Sequence, residues 1–371
     1  MSFQKIPENA SLIYDLPQEA MAEIAGLYPV IGANPGLSLL ARFWSYLIFH
    51  QPPGTAGAVS TWPLPVPVLG DQAGIWPLAI LVSGAERAFE AYRKLGMENR
   101  IALETLAFGG LYTRDYYRRN GRWGLSELNW LRRHVQARIF RLGRLVFNTG
   151  TYSWPFMTVR NRESQIITLC DGDVPYRADG LPDGTNNRRE AESWLPVLQK
   201  SDLSLVGHPV ASDGTVQRET IALDPNEWRV VLRKGDRVVD VHIPSGSKLS
   251  LKECEDAYRE AYRFFPRYFP GIPFKAFVCK SWIMDPALSL ILPPESNLVK
   301  FQRMFKPLPV IGDERQTYEL VFDDPHVELD QFTPVTSLQK AIIRHVKLGN
   351  RMRSSAGFRL WEQPAGSVAL S

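Results

Sequence analysis

The apolar residues of this 371-residue chain change their period near residue 143. Upstream they recur three and four positions apart. Downstream they fall in short alternating runs bounded by turn residues. A helix buries a stripe and a strand buries alternate positions, so one kind of layer cannot serve both halves. The expected fold class is therefore α+β. A helical N-terminal domain over residues 1–142 precedes a mixed α/β domain over 143–371 with a central, largely antiparallel sheet. A hydrophobic share of 44% gives each half material for its own core.

In the helical half, Asn34-Pro35 opens a run in which Leu37, Leu40, Phe43, Trp44 and Leu47 recur at helical spacing. Proline is tolerated there because a first-turn N–H has no helical partner. A Pro/Gly/Trp-rich connector over 51–77 is expected at the surface. Helices are expected over 84–95 and 98–119, with Gly96 as the break. A last helix starts at Ser126, which forms an imperfect capping box with Asn129. Its apolar stripe runs Leu128, Leu131, Val135, Ile139 and Leu142.

In the second half, Leu145, Phe147, Tyr152, Phe156, Ile166, Ile167 and Leu169 read as short strands. The polar residues 171–193 read as a loop or lid. Three successive strands are expected over 216–223, 228–234 and 237–243, turned by Asp224-Pro225 and Gly235-Asp236. A helix over 250–265 follows, with Ser250 and Glu253 as a capping box. Next come a strand over 274–281, a helix near 296–305, a strand over 317–322, a helix over 336–348 and a strand near 356–361.

The unit VVDVHIP-SGSKLS-LKECEDAYREAYRFF sits at the centre of this half. A strand runs into a Gly/Ser/Lys loop, and the loop opens a capped helix. A helix N-terminus carries unpaired N–H groups and the positive end of the dipole, a natural seat for phosphate. Gly246 lets the backbone approach closely, Ser245, Ser247 and Ser250 add hydroxyls, and Lys248 adds charge. A plain strand-to-helix connection has the same outline.

This order of elements resembles the GNAT-type N-acyltransferases. In that fold the fourth strand, a pyrophosphate loop and the third helix hold coenzyme A. The next strand splays away and leaves a V-shaped slot for the acyl-pantetheine arm. Residues 297–305, NLVKFQRMF, are similar to the family's N-x-x-(A/V)-x-x-F-Y helix at Asn297, Val299 and Phe301. Across the chain, YPVIG, LSLLARFWSYLIF, ARIFRLGRLVF, VHIPSG, FFPRYFP, CKSWIMDPAL, LPPESNLVKFQ and TSLQKAI resemble a bacterial family. That family joins an N-acyltransferase N-terminal domain to a GNAT-like C-terminal domain.

The resemblance implies a GNAT-like second domain and an acyl-CoA-dependent N-acyltransferase. The acyl group would pass from coenzyme A to the amine of a small molecule or peptide by direct attack, in a pocket shaped by the helical half. It implies coenzyme A binding by Ile243, Ser245, Gly246, Ser247, Lys248, Ser250 and Asn297. Backbone amides around His242 and Ile243 would polarise the thioester carbonyl. Two departures stand out. The loop SGSKLS has one glycine and no leading Gln or Arg, where the family reads (Q/R)-x-x-G-x-(G/A). Gln302 stands where a tyrosine often protonates the leaving thiolate, and an amide is no general acid at neutral pH. The alternative is a catalytically degenerate GNAT-like protein that binds acyl-CoA or serves as a scaffold.

Asp240 and His242 are two apart in one expected strand and so face the same way. A histidine near its working pKa suits a general base, and a neighbouring carboxylate would hold it. A solvated strand face shows the same alternation. Glu219, on an adjacent expected strand, is the reserve base. Cys279 has no His or acid near it in sequence and reads as core. His208 reads as a loop histidine without a partner, and His345 as a cation at a helix C-terminus.

The six histidines lack HxxxH or HxH spacing and the three cysteines lack CxxC, so no metal is expected. Scattered cysteines and the lack of an apolar leader or bilayer-length apolar stretch fit a cytoplasmic protein, off the membrane. Between Arg114 and Arg144 nine arginines face two acids. They suit an anionic ligand or a domain interface, with Arg138, Arg141 and Arg144 best placed for the latter. Nucleic acid comes third, because a net charge of +4 is slight and the aromatics form no stacking platform.

Overall fold

The computed structural model describes residues 5–50, 66–246 and 248–362. The chain divides into two compact units. The first is Met1–Leu142 with Val146–Asn148 and Arg267–Pro270, and the second is the remainder.

The first unit carries α1 (Ala10–Tyr14), α2 (Gln18–Ala33), α3 (Pro35–His50), α4 (Trp76–Ser83), α5 (Ala85–Lys94), α6 (Asn99–Leu106), α7 (Phe108–Asn120) and α8 (Leu128–Val135). Helix α4, WPLAILVS, has no polar face, and a helix apolar all round must be core. It is buried from Trp76 to Val82. Tyr28 Oη donates to Ala79 O at 3.3 Å, and Trp44 meets Trp76 edge-on with centroids 5.8 Å apart. The start of α3 is as expected: Pro35 is its first residue, and Asn34 Oδ1 accepts from Leu37 N at 3.1 Å. Residues 51–65 of the expected connector lie outside the described residues.

Two helix expectations fail here. The helix expected over 98–119 is two, α6 and α7, which meet at Ala107. Gly109 and Gly110 sit against Tyr14 and the Asp15 carbonyl, where a Cβ on Gly110 would collide with backbone. The last helix ends at Val135 instead of Leu142. Ala137 takes a left-handed φ of 50°, and the chain turns into strand β1 (Ile139–Leu142). Tyr92 Oη fixes that turn by donating to His134 O at 2.7 Å and Ile139 O at 3.3 Å. Glu127, not Ser126, occupies the cap position, and no side chain caps this end.

Strand β2 (Leu145–Thr151) has residues in both units, and the second unit contains β3 (Phe156–Arg160), β4 (Ile166–Cys170), β5 (Leu198–Lys200), β6 (Leu205–Gly207), β7 (Ile221–Leu223), β8 (Arg229–Leu232) and β9 (Arg237–His242). It continues with α9 (Leu251–Tyr268), β10 (Ala276–Ser281), α10 (Ala287–Ile291), α11 (Asn297–Gln302), β11 (Lys306–Leu308), α12 (Arg315–Phe322), α13 (Ser337–Lys347) and β12 (Ser355–Leu360). Within the second unit β9-β10-β12-β11 lie side by side in the main sheet, and two three-stranded sheets run β4-β3-β8 and β5-β6-β7. In the main sheet β9 and β10 are parallel, while β10–β12 and β11–β12 are antiparallel.

The three successive strands exist, as β7, β8 and β9, but each belongs to a different sheet. Alternation sets which residues face inward; it does not choose the partner. Ile221 and Leu223 pack with Leu169 and Leu205 in a small separate cluster, and Val230 pairs with Val159 of β3. The strand expected over 317–322 is helix α12. Asp313 Oδ1 accepts from Arg315 N at 3.1 Å at its start, and Thr317 and Phe322 are buried while Leu320 is exposed. Residues 171–193 form a loop pinned by buried Arg177, which donates to Thr185 O at 3.1 Å and to the Asp179 carboxylate.

Candidate functional site

Strands β9 and β10 pair only at Val238–Ala276, Val239–Phe277 and Asp240–Val278. Beyond that, β9 continues through Val241 and His242. Strand β10 continues through Cys279, Lys280 and Ser281, and there it pairs with β12. Two parallel neighbours thus part company at their C-terminal ends. The ladder between these two strands therefore ends at Asp240 and Val278.

The loop after β9 runs directly from this opening to α9. Gly246 has φ 98°, a left-handed conformation that suits glycine. Ser245, Gly246 and Lys248 are exposed, Ile243 is half-buried, and Ser247 lies outside the described residues. Ser250 Oγ accepts from Glu253 N at 3.4 Å, the first half of the expected capping box, while Ser250 N donates to Lys248 O at 3.1 Å. The brace of the loop is Arg144. This buried guanidinium donates from Nε to Lys248 O at 3.2 Å and from Nη1 to Pro244 O at 3.0 Å. A charged donor reaching both ends of one loop fixes its span. The sequence marked Arg144, with Arg138 and Arg141, as suited to a domain interface and not as a brace of this loop.

Asp240 and His242 are both half-buried and, by alternation along β9, lie on one side of it. They share that side with Val238 and Val278, opposite the face where Tyr258 and Tyr262 of α9 pack on Phe277. Gly150 of β2 leaves the room that the Asp240 carboxylate occupies; a Cβ there would run into Asp240 Oδ2. Pattern reasoning had no means of finding Gly150, because its role is visible only across the sheet.

Cys279 is buried, and burial together with the nearby Asp240 charge pushes its thiol up to about 12. That suits core packing and excludes a ready thiolate. Gln302 is fully occupied as a donor: its Nε2 gives hydrogen bonds to Ile283 O at 2.7 Å and Asp285 O at 2.6 Å. The amide at the position of the missing tyrosine therefore ties down the segment after β10. Asp285 is completely buried, accepts from Ala287 N at 3.0 Å and Arg353 N at 2.7 Å, and is raised by burial to about 6.

Other expectations fall differently. Glu219 is exposed on a bend before β7, in no strand, and β7 is not in the sheet of β9. It is not brought to the site. Asn297 is exposed at the start of α11. His208 does have partners: it is buried, its Nδ1 lies 3.2 Å from Gln217 O, and its ring packs on Trp194. Partial burial lowers the pKa of His345, against a role as a helix-end cation. Arg114, Arg118, Arg119 and Arg122 pair with Asp15, Asp115 and Asp71. Arg133 and Arg141 lie over Trp130 and Phe108, which accounts for much of the basic stretch.

A parallel strand pair that parts beside a braced loop and a capped helix defines a GNAT-like fold. A sequence profile of the GNAT-like C-terminal domain matches residues 139–359, and one of the N-acyltransferase N-terminal domain matches residues 5–137. The chain belongs to the family that joins these two domains. No curated protein matches it. Among solved structures it is similar to an acyltransferase variant in complex with octanoyl-CoA, with TM-score 0.64 and 18% identity over 96% of this chain and 90% of that one. It is also similar to an acyltransferase in complex with decanoyl-CoA and teicoplanin, with TM-score 0.63, 18% identity and the same coverage.

Proposed function

We propose that this protein is an acyl-CoA-dependent N-acyltransferase. The observation that carries the reading is the end of the β9–β10 ladder at Asp240–Val278, next to a loop braced by Arg144. The phosphates of coenzyme A would meet the loop amides, Lys248 and the N-terminus of α9. The acyl-pantetheine arm would lie in the opening, with its carbonyl oxygen on the amides of β9 beyond Asp240.

In this reading the amine nitrogen attacks the thioester carbonyl carbon directly, with no acyl-enzyme. The C–S bond breaks as the C–N bond forms. His242, backed by Asp240, takes the proton that the amine loses, and the thiolate receives a proton from water. Gln302 takes no part, since its amide is committed to two backbone carbonyls. Octanoyl-CoA and decanoyl-CoA in the similar structures favour a medium acyl chain, and teicoplanin there favours a small-molecule acceptor.

Calorimetric titration with acetyl-, octanoyl- and decanoyl-CoA should show saturable binding. Thiol release with a panel of amines should then show turnover. A folded protein that binds none of the three would remove cofactor and mechanism together.

A further inference from the structure

The run CKSWIMDPAL carries a group that the reaction described so far leaves unused. Lys280 lies two residues past Val278, the last rung of the β9–β10 ladder. Val278 stands beside Asp240, and side chains two apart in a strand share a face. Lys280 and His242 therefore project from the same side of the sheet as Asp240, one on each side of the opening. Cys279, between Val278 and Lys280, projects to the other side and is buried.

The backbone at Lys280 is fixed and its side chain is not. Strand β10 pairs with β12 through Lys280–Ala356 and Ser281–Ser355, and Trp282 N donates to Gln316 Oε1 at 2.8 Å. Lys280 is exposed, and among the described residues no carboxylate pairs with it. Lys300 and Lys234, by contrast, are held by Glu295 and Asp173. A lysine stem of four methylenes is longer than the spacing of about 4.8 Å between neighbouring strands. The Lys280 nitrogen can therefore swing into the opening from the β10 side.

The base sets the side of attack. An amine that gives its proton to His242 approaches from the face that His242 occupies, and Lys280 carries a primary amine on that face. An amine tethered beside an acyl group reacts without a second-order encounter. We propose that Lys280 is a self-acylation site, which rests on the acyl-CoA reading above. Its ammonium first gives one proton to solvent. The neutral nitrogen then attacks the thioester carbonyl carbon, the C–N bond forms and the C–S bond breaks. His242 takes the remaining proton of the new amide nitrogen's positive charge, and the coenzyme A thiolate is protonated by water. The amide has no charge and leaves its acyl chain on the acceptor side of the opening, so it competes there with an external amine.

The test incubates the full chain with octanoyl-CoA and no added amine, with peptide mass spectrometry as the readout. Lys275, also exposed and directly before the start of β10, is the internal reference. Octanoylation at Lys280 should exceed that at Lys275 at least tenfold and should survive hydroxylamine, which removes thioesters on cysteine but not amides. Lys280→Arg should keep the thermal midpoint and reduce total octanoylation at least fivefold. Equal labelling of Lys275 and Lys280, a hydroxylamine-labile label, or undiminished labelling of the Lys280→Arg protein would overturn the proposal. Calorimetry on the same preparation separates the two readings. Octanoyl-CoA binding without a label on Lys280 overturns self-acylation alone, and absence of binding overturns the acyl-CoA reading with it.

Discussion

Replacing Arg144 by methionine tests whether the loop after β9 is pre-set for an anion. Its two hydrogen bonds, at 3.0 and 3.2 Å, run from a buried charged donor to Pro244 O and Lys248 O. Such bonds contribute about 1.5–3 kcal/mol each, and the longer one belongs near the lower end. Their joint loss weakens the folded loop by about 3–4 kcal/mol. If roughly half of that must be recovered when ligand reorders the loop, affinity for octanoyl-CoA falls about tenfold to thirtyfold, at 1.4 kcal/mol per decade. Calorimetry gives the affinity, and a urea transition shows that the variant is folded. Arg144→Lys keeps the charge but cannot span both carbonyls, so its loss should be intermediate. A folded Arg144→Met protein with affinity within twofold of the parent would refute the reasoning.

Further expectations follow the same logic. Gly246→Asp should abolish octanoyl-CoA binding in a folded protein, because it sets a carboxylate, at a backbone φ of 98°, where phosphate would lie; unchanged affinity would move the site. Gln302→Ala should cost about 1–3 kcal/mol in urea unfolding, since Ile283 O and Asp285 O lose their donor; a neutral result would deny Gln302 its structural role. Burial raises the Asp285 carboxyl from 3.8 to about 6, so the folded chain holds that proton more tightly than the unfolded one. Its contribution to stability therefore declines as pH rises from about 4 to about 6, by about 3 kcal/mol, and is level above that. Asp285→Asn should flatten this part of the stability–pH curve, and an undiminished slope would assign it to other groups.

The parts of the fold that the sequence announced were those written in local chemistry. Asn34-Pro35 and Ser250 mark helix starts because capping and first-turn proline act within four residues. The strand-loop-helix unit at 237–268 was legible for the same reason. Other features rest on contacts distant in sequence. Ile139 and Leu142 continue the helical stripe of α8 on paper, yet Ala137 turns the chain into β1. The segment YELVFD has strand composition, yet it lies in helix α12, where Thr317 and Phe322 are buried and Leu320 is exposed. Glu219 was placed beside β9 on the assumption that consecutive strands are neighbours, and the pairing of β7 with β6 removes it. Arg144 and Gly150 act on residues about a hundred positions away, which no periodicity shows.

Hydrogen–deuterium exchange of the full chain with and without octanoyl-CoA examines the proposed cofactor site segment by segment. Backbone amides over residues 241–254 should slow on binding, together with those at 279–283 across the opening. Slowing confined to other segments, or none at a concentration that saturates the protein, would contradict the assignment of the parted strands as the acyl-CoA site.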